Sequence, residues 1–106
     1  MATGILGTTA LGSATNATIY TVPADTFAVV TVNICNRNTQ SRDVRIAVAA
    51  ADTPTNAEYI EYNTELLGNG SVERGGIVLD AGKKIVCYAN STDCSAVVYG
   101  IETAVA

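Results

Sequence analysis

Ala28-Val29-Val30-Thr31-Val32-Asn33-Ile34-Cys35 alternates between an apolar and a mixed register. Ala28, Val30, Val32 and Ile34 fall in one register and Val29, Thr31, Asn33 and Cys35 in the other. An extended chain therefore presents one wholly apolar face and one mixed face. A period of two in β-branched residues specifies a half-buried strand. The next run repeats the pattern, with Val44, Ile46 and Val48 opposite Arg45, Ala47 and Ala49, and places Arg45 on the solvent or partner side. Residues 83–89 and 94–102, separated by Asn90-Ser91-Thr92-Asp93, predict the clearest hairpin in the chain. The second of these runs is apolar on both faces, Val97, Tyr99 and Ile101 alternating with Ala96 and Val98, which predicts a central strand or one at an interface.

Working outward, clusters of Gly, Pro, Asn, Asp and Ser at 12–16, 23–25, 36–41, 52–56, 68–70, 80–82 and 90–93 read as seven turns, and hence about eight short strands. Residues 57–67 fit an amphipathic helix with Tyr59, Tyr62, Asn63 and Leu66 aligned, or a strand with Ile60, Tyr62, Thr64 and Leu66 aligned. The tyrosines and isoleucine favour the strand, although Thr55 and Glu58 have the spacing of a capping box. The expected fold is all-β, an antiparallel β-sandwich or jelly-roll-like domain spanning residues 1–106. Residues 1–14 form either its first strand or an N-terminal arm that completes its burial on a neighbouring subunit.

The chain has 106 residues, 48% hydrophobic and 15% charged, with six Lys plus Arg, ten Asp plus Glu and no histidine. That length supports one modest core. A net charge of −4 opposes nucleic-acid binding, which needs a local surplus of cations. No run approaches the ~18 apolar residues that read as a membrane helix, so no membrane partner is expected. The first 16 residues lack the basic start and apolar block of a secretory signal, which predicts synthesis in a cytoplasm. Cys35, Cys87 and Cys94 are then expected as reduced, core or near-core thiols, the alternative being a bulged Cys87–Cys94 bridge across the final hairpin.

Without histidine, Ser-His-Asp, Cys-His and His-based metal sites are ruled out. Glu58, Glu61 and Glu65 cluster, but a regular strand puts Glu61 and Glu65 on one face and Glu58 on the other, as solvated carboxylates. Gly68-Asn69-Gly70-Ser71 lacks the lysine of a phosphate-binding loop, and Gly75-Gly76 sits in a strand-like run, so turns and a bulge account for the glycines. Neither Cys35 nor Cys94 has a sequence neighbour that would activate a thiol. The expectation is a non-enzymatic module with no cofactor and no metal.

Five segments carry a resemblance: Ile19-Tyr20-Thr21-Val22-Pro23-Ala24, 28–36, Val44-Arg45-Ile46-Ala47-Val48, Glu58-Tyr59-Ile60-Glu61-Tyr62, and Val97-Val98-Tyr99-Gly100-Ile101-Glu102. In this order, over residues 4–102, the chain resembles small virion structural proteins of tailed bacteriophages, especially those of cyanobacterial phages. The resemblance implies a β-sandwich attached to the particle exterior or built into tail and fibre assemblies. The two cysteines in the last hairpin depart from it, standing where small or polar residues are expected.

What the resemblance implies is a capsid decoration (cement) protein of the virion, made in the host cytoplasm. Its partners would be the major capsid protein or other virion proteins, and it would act as a homo-oligomer, a trimer by preference. A tail, neck or fibre component is the alternative; a carbohydrate-binding module ranks lower, because tryptophan platforms are absent. A cement works by burial, so the expected interface residues are Ile5, Leu6 and Leu11 of the arm, Tyr59, Tyr62 and Tyr99, and Arg45 and Arg74 as polar contacts. Core packing for the tyrosines and a solvated strand face for the arginines are the competing readings.

Overall fold

The computed structural model describes residues 2–105. Eight strands carry the described chain: β1 (Thr3–Ala10), β2 (Ala17–Thr21), β3 (Thr26–Asn36), β4 (Arg42–Ala49), β5 (Tyr59–Leu66), β6 (Ser71–Leu79), β7 (Lys84–Ala89) and β8 (Cys94–Ala104), with one 3-10 turn at Asn56–Glu58. All seven turn clusters fall between consecutive strands, because Gly, Pro, Asn and Asp supply the conformations that reverse the chain.

The strands form two four-stranded sheets, sheet A in the order β1-β8-β3-β6 and sheet B in the order β2-β7-β4-β5, with every pairing antiparallel. Strand β1 pairs with β8, β2 with β7, β3 with β6 and β4 with β5, so the chain doubles back on itself at the β4–β5 connection. Rolling that doubled ribbon adds the β3–β8 and β4–β7 pairings and produces the jelly roll, a β-sandwich. The structure corrects the expected hairpin. Strands β7 and β8 lie in opposite sheets, and residues 90–93 cross the sandwich between them. The apolar character of β8 on both faces reflects its central place between β1 and β3.

The alternation in β3 now has its cause. Ala28, Val30, Val32 and Ile34 are at most 2% exposed and meet Val44, Ile46, Ile85 and Cys87 of the facing sheet. Each fully buried Val or Ile contributes about 1.5–3 kcal/mol relative to an exposed one. Gly100 sits at the tightest point of the β3–β8 pair: a Cβ there would lie 2.1 Å from the Val29 carbonyl oxygen. In β6, Gly75-Gly76 faces the single residue Thr31 and makes the expected bulge.

Polar pairs close the rims of the sandwich. On the β1/β2 side the Tyr20 hydroxyl donates to Glu102 Oε2, joining sheet B to sheet A. On the β5/β6 side Arg74 Nε lies 2.8 Å from Glu61 Oε2. At one end, the buried Asn36 amide donates to the carbonyls of Gln40, Leu66 and Leu67, and its Oδ1 accepts from Asn38 N–H. Beside it, Asp93 Oδ2 accepts from Arg42, Asn38 and Ser91, and Arg42 first among these holds its carboxyl below the usual range.

Candidate functional site

The two outer faces of the sandwich are built differently. On sheet B, Arg45 projects outward between core-facing Val44 and Ile46. Opposite it, β5 carries two irregularities: Val44 pairs with Thr64, Ile46 with Glu61 and Ala47 with Tyr59, so Arg45 faces both Tyr62 and Asn63, and Ile60 is a second extra residue. Asn63 takes φ 51°, a left-handed conformation that asparagine tolerates better than most residues.

The bulged strand brings two rings onto one cation and a third ring beside them. The Arg45 guanidinium lies 4.3 Å from the Tyr62 ring centroid and 4.2 Å from that of Tyr88, its direct partner on β7. Its Nε donates to Asn63 Oδ1 at 2.7 Å. Tyr59 meets Tyr62 edge-on, with centroids 4.9 Å apart, and both rings with Asn56 line a shallow depression of about 440 Å³. Such geometry fixes both guanidinium and rings, since cation–π and edge-to-face contacts are each directional.

The rest of sheet B's outer face is covered by residues 50–58. Glu58 accepts from Thr55 N–H at 2.8 Å and Ala50 N–H at 3.0 Å, and these bonds, Thr55 first, lower its carboxyl pKa. Asp52 accepts from the Thr18 hydroxyl at 2.6 Å and lies 3.7 Å from Lys84 Nζ; Thr18 first, then Lys84, lowers its pKa as well. Held this way, the connection accompanies a small second core of Ala47, Ala49 and Val86, all at most 2% exposed, with Tyr59 packed against it.

Among the described residues, none covers sheet A in this way. In register across it run Ile101, Val29 and Val78, and alongside them Ile5, Tyr99 and Thr31. Ile5 is 64% exposed, Val78 68%, Ile101 48% and Phe27, further along β3, 37%. The Tyr99 hydroxyl donates to Glu73 Oε2 at 2.6 Å, which raises the phenol pKa.

The residues singled out from the sequence therefore separate. Ile5 and Tyr99 lie on the outer face of sheet A; Arg45, Tyr59 and Tyr62 meet on that of sheet B. Two are corrected. Leu11 is 1% exposed within the core and Leu6 packs against it; Leu6 lies in strand β1 of the chain's own sheet and Leu11 directly after it, so these leucines present no docking surface. Arg74 keeps a half-exposed side chain on β6, which also contacts Glu61 and the Ile60 carbonyl. The alignment of Tyr62 with Ile60 and Leu66 also fails, because the bulges shift the register: Ile60 and Leu66 pack on the core, while Tyr62 is exposed. Glu61 likewise turns towards Arg74 and the Thr64 hydroxyl, away from exposed Glu65.

Sequence reasoning missed Tyr88, Asn63, Asn56, Val29, Val78 and Ile101 as surface groups. Tyr88 was findable from its alternation with core Cys87 and Ala89. All three cysteines are free, and burial pushes the Cys87 thiol up to about 12, which suits packing rather than nucleophilic chemistry. Among the described residues no three His, Cys, Asp or Glu side chains converge as a metal site. No protein-family model, no curated protein and no solved structure matches the chain.

Proposed function

We propose that the chain is a structural component of a bacteriophage particle, a decoration protein that seats on the major capsid protein and stabilises the head by burying surface between its subunits. The resemblance of its sequence to virion proteins supports this reading, and jelly rolls are common in viral shells, although a fold alone does not fix a function. The observation that carries it is the uncovered apolar outer face of sheet A, with Ile5, Val29, Val78 and Ile101 arranged around Tyr99. Its strands, of 8, 11, 11 and 9 residues, at about 3.3 Å per residue and about 4.8 Å apart, give a face of roughly 600 Å². That is at the lower end of the roughly 600–1,000 Å² one partner contributes to a standard interface. Apolar rows beside aromatic anchors make such contacts energetically productive, and symmetric repetition multiplies them. Self-association, as a trimer, would use part of the same face.

Copy number tests the reading. Quantitative mass spectrometry of purified particles should find the chain in hundreds of copies per virion. A handful of copies would move it to the tail, neck or fibre, and absence from particles would end both. Ile101→Glu, on the exposed face, should leave the domain folded and remove it from the particle.

A further inference from the structure

Arg45 stands out among the six cations of this chain. Arg42, Arg74, Lys83 and Lys84 each lie against a carboxylate, of Asp93, Glu61, Asp80 and Asp52 respectively, and Arg37, without one among the described residues, donates to the Ser95 hydroxyl and the Thr92 carbonyl, whereas Arg45 alone is held by rings. Arg45, in a chain with ten acidic residues, pairs with none among the described residues; one of its donors goes to Asn63 and its plane is held by Tyr62 and Tyr88. The terminal nitrogens of a guanidinium so fixed form a two-pronged donor suited to a planar carboxylate. Beside it lies the depression lined by Asn56, Tyr59 and Tyr62, within the volume range of small-ligand sites, with Tyr62 56% exposed.

We propose that this outer face of sheet B binds acidic saccharides, a hexuronate ring seating in the Tyr59–Tyr62 depression with its carboxylate on Arg45. Each part of the ligand has a matching group. The C–H face of a pyranose carries small positive charge and is attracted to the negative face of an aromatic ring. The Asn56 amide offers both a donor and an acceptor to ring hydroxyls. The carboxylate meets a donor pair already oriented, so little side-chain entropy is lost on binding. An acidic peptide would satisfy Arg45 equally, but a broad, shallow, ring-lined depression beside the cation fits a flat sugar better than a narrow side chain. The site lies on the face opposite to that proposed for assembly, so the two readings stand or fall separately.

The test uses the whole folded chain, with amide chemical-shift titration read out at residues 45, 56–63 and 88. A galacturonate oligosaccharide should bind saturably there, and a neutral glucose oligosaccharide of equal length at least about tenfold more weakly. Arg45→Gln and Arg45→Lys should both weaken the uronate about tenfold or more, the lysine retaining charge but losing the fork. Tyr62→Ala, at an exposed position, should abolish binding while leaving the melting temperature within a few degrees. No saturation by about 10 mM uronate, equal binding of the neutral sugar, or uronate binding unchanged by Arg45→Lys would overturn the proposal. So would equal affinity for a poly-glutamate peptide, which would make the patch a protein-docking surface.

Discussion

The outer faces of sheets A and B start from the same kind of sequence, alternating strands whose second register is small, apolar or aromatic, and end in opposite states. On sheet B the connection at 50–58 is tied down by Glu58 and Asp52, Ala47, Ala49 and Val86 are closed off, and the Arg45–tyrosine cluster and its depression remain open. On sheet A the flanking connections are short turns, and Ile5, Val78 and Ile101 stay in solvent. Apolar alternation on an outer face thus marks burial without saying whether the cover is the chain itself or another molecule. One long connection decides it.

The contrast is broken most severely by lifting the spine of sheet A. Gly100→Ala places a Cβ against the β3 backbone and should cost about 3 kcal/mol or more, read from denaturant unfolding; a loss under about 1 kcal/mol would mean that β8 shifts freely. A matched pair of isosteric changes tests the covers directly. Val86→Thr, under the cover of sheet B, should destabilise by about 1–3 kcal/mol, because its hydroxyl gains no partner. Val78→Thr, on bare sheet A, should stay within about 0.5 kcal/mol. Equal costs would erase the distinction between the faces.

Thiol labelling sharpens it further. Cys35 is half-buried on the outer face of sheet A between Ser71 and Ser95, whereas Cys87 and Cys94 are buried. In the folded free chain Cys35 should react first, the other two only on unfolding, and in assembled particles Cys35 should be protected. Unchanged labelling in particles would place the contact elsewhere.

The smallest effect is acidic. The Glu58 and Asp52 carboxyls have pKa values lowered in the folded state, so the unfolded chain binds protons more tightly. Their contribution is complete above the unfolded values near pH ~4 and is lost as pH falls through the lower folded ones. On acidification the amides of Ala50 and Thr55 should therefore lose hydrogen-exchange protection before those of β3 and β8. Simultaneous loss would show that these carboxylates do not hold the cover.

Much of this architecture was legible in the residues. The strand count, the seven turns, the inward register of β3 and β4 and the sandwich class all rest on local chemistry. The interface candidates were legible only as residue types. Tyr59, Tyr62 and Arg45 were singled out separately, and their meeting depends on two bulges in β5 that no periodicity announces, since a bulge shifts the faces without changing the residues. Leu11 looked like a free anchor because nothing local says that the segment after β1 turns under the sheets.

Local chemistry is enough to make this protein β-strands punctuated by turns around a core of Val, Ile, Leu and Ala, because extended geometry, β-branching and turn conformations act within a few residues. Tertiary structure alone decided that β7 and β8 part into opposite sheets, that 50–58 closes one face and leaves the other open, and that Arg45 lies between two rings. Those outcomes depend on pairings between residues tens of positions apart, where burial over the whole molecule outweighs any local preference.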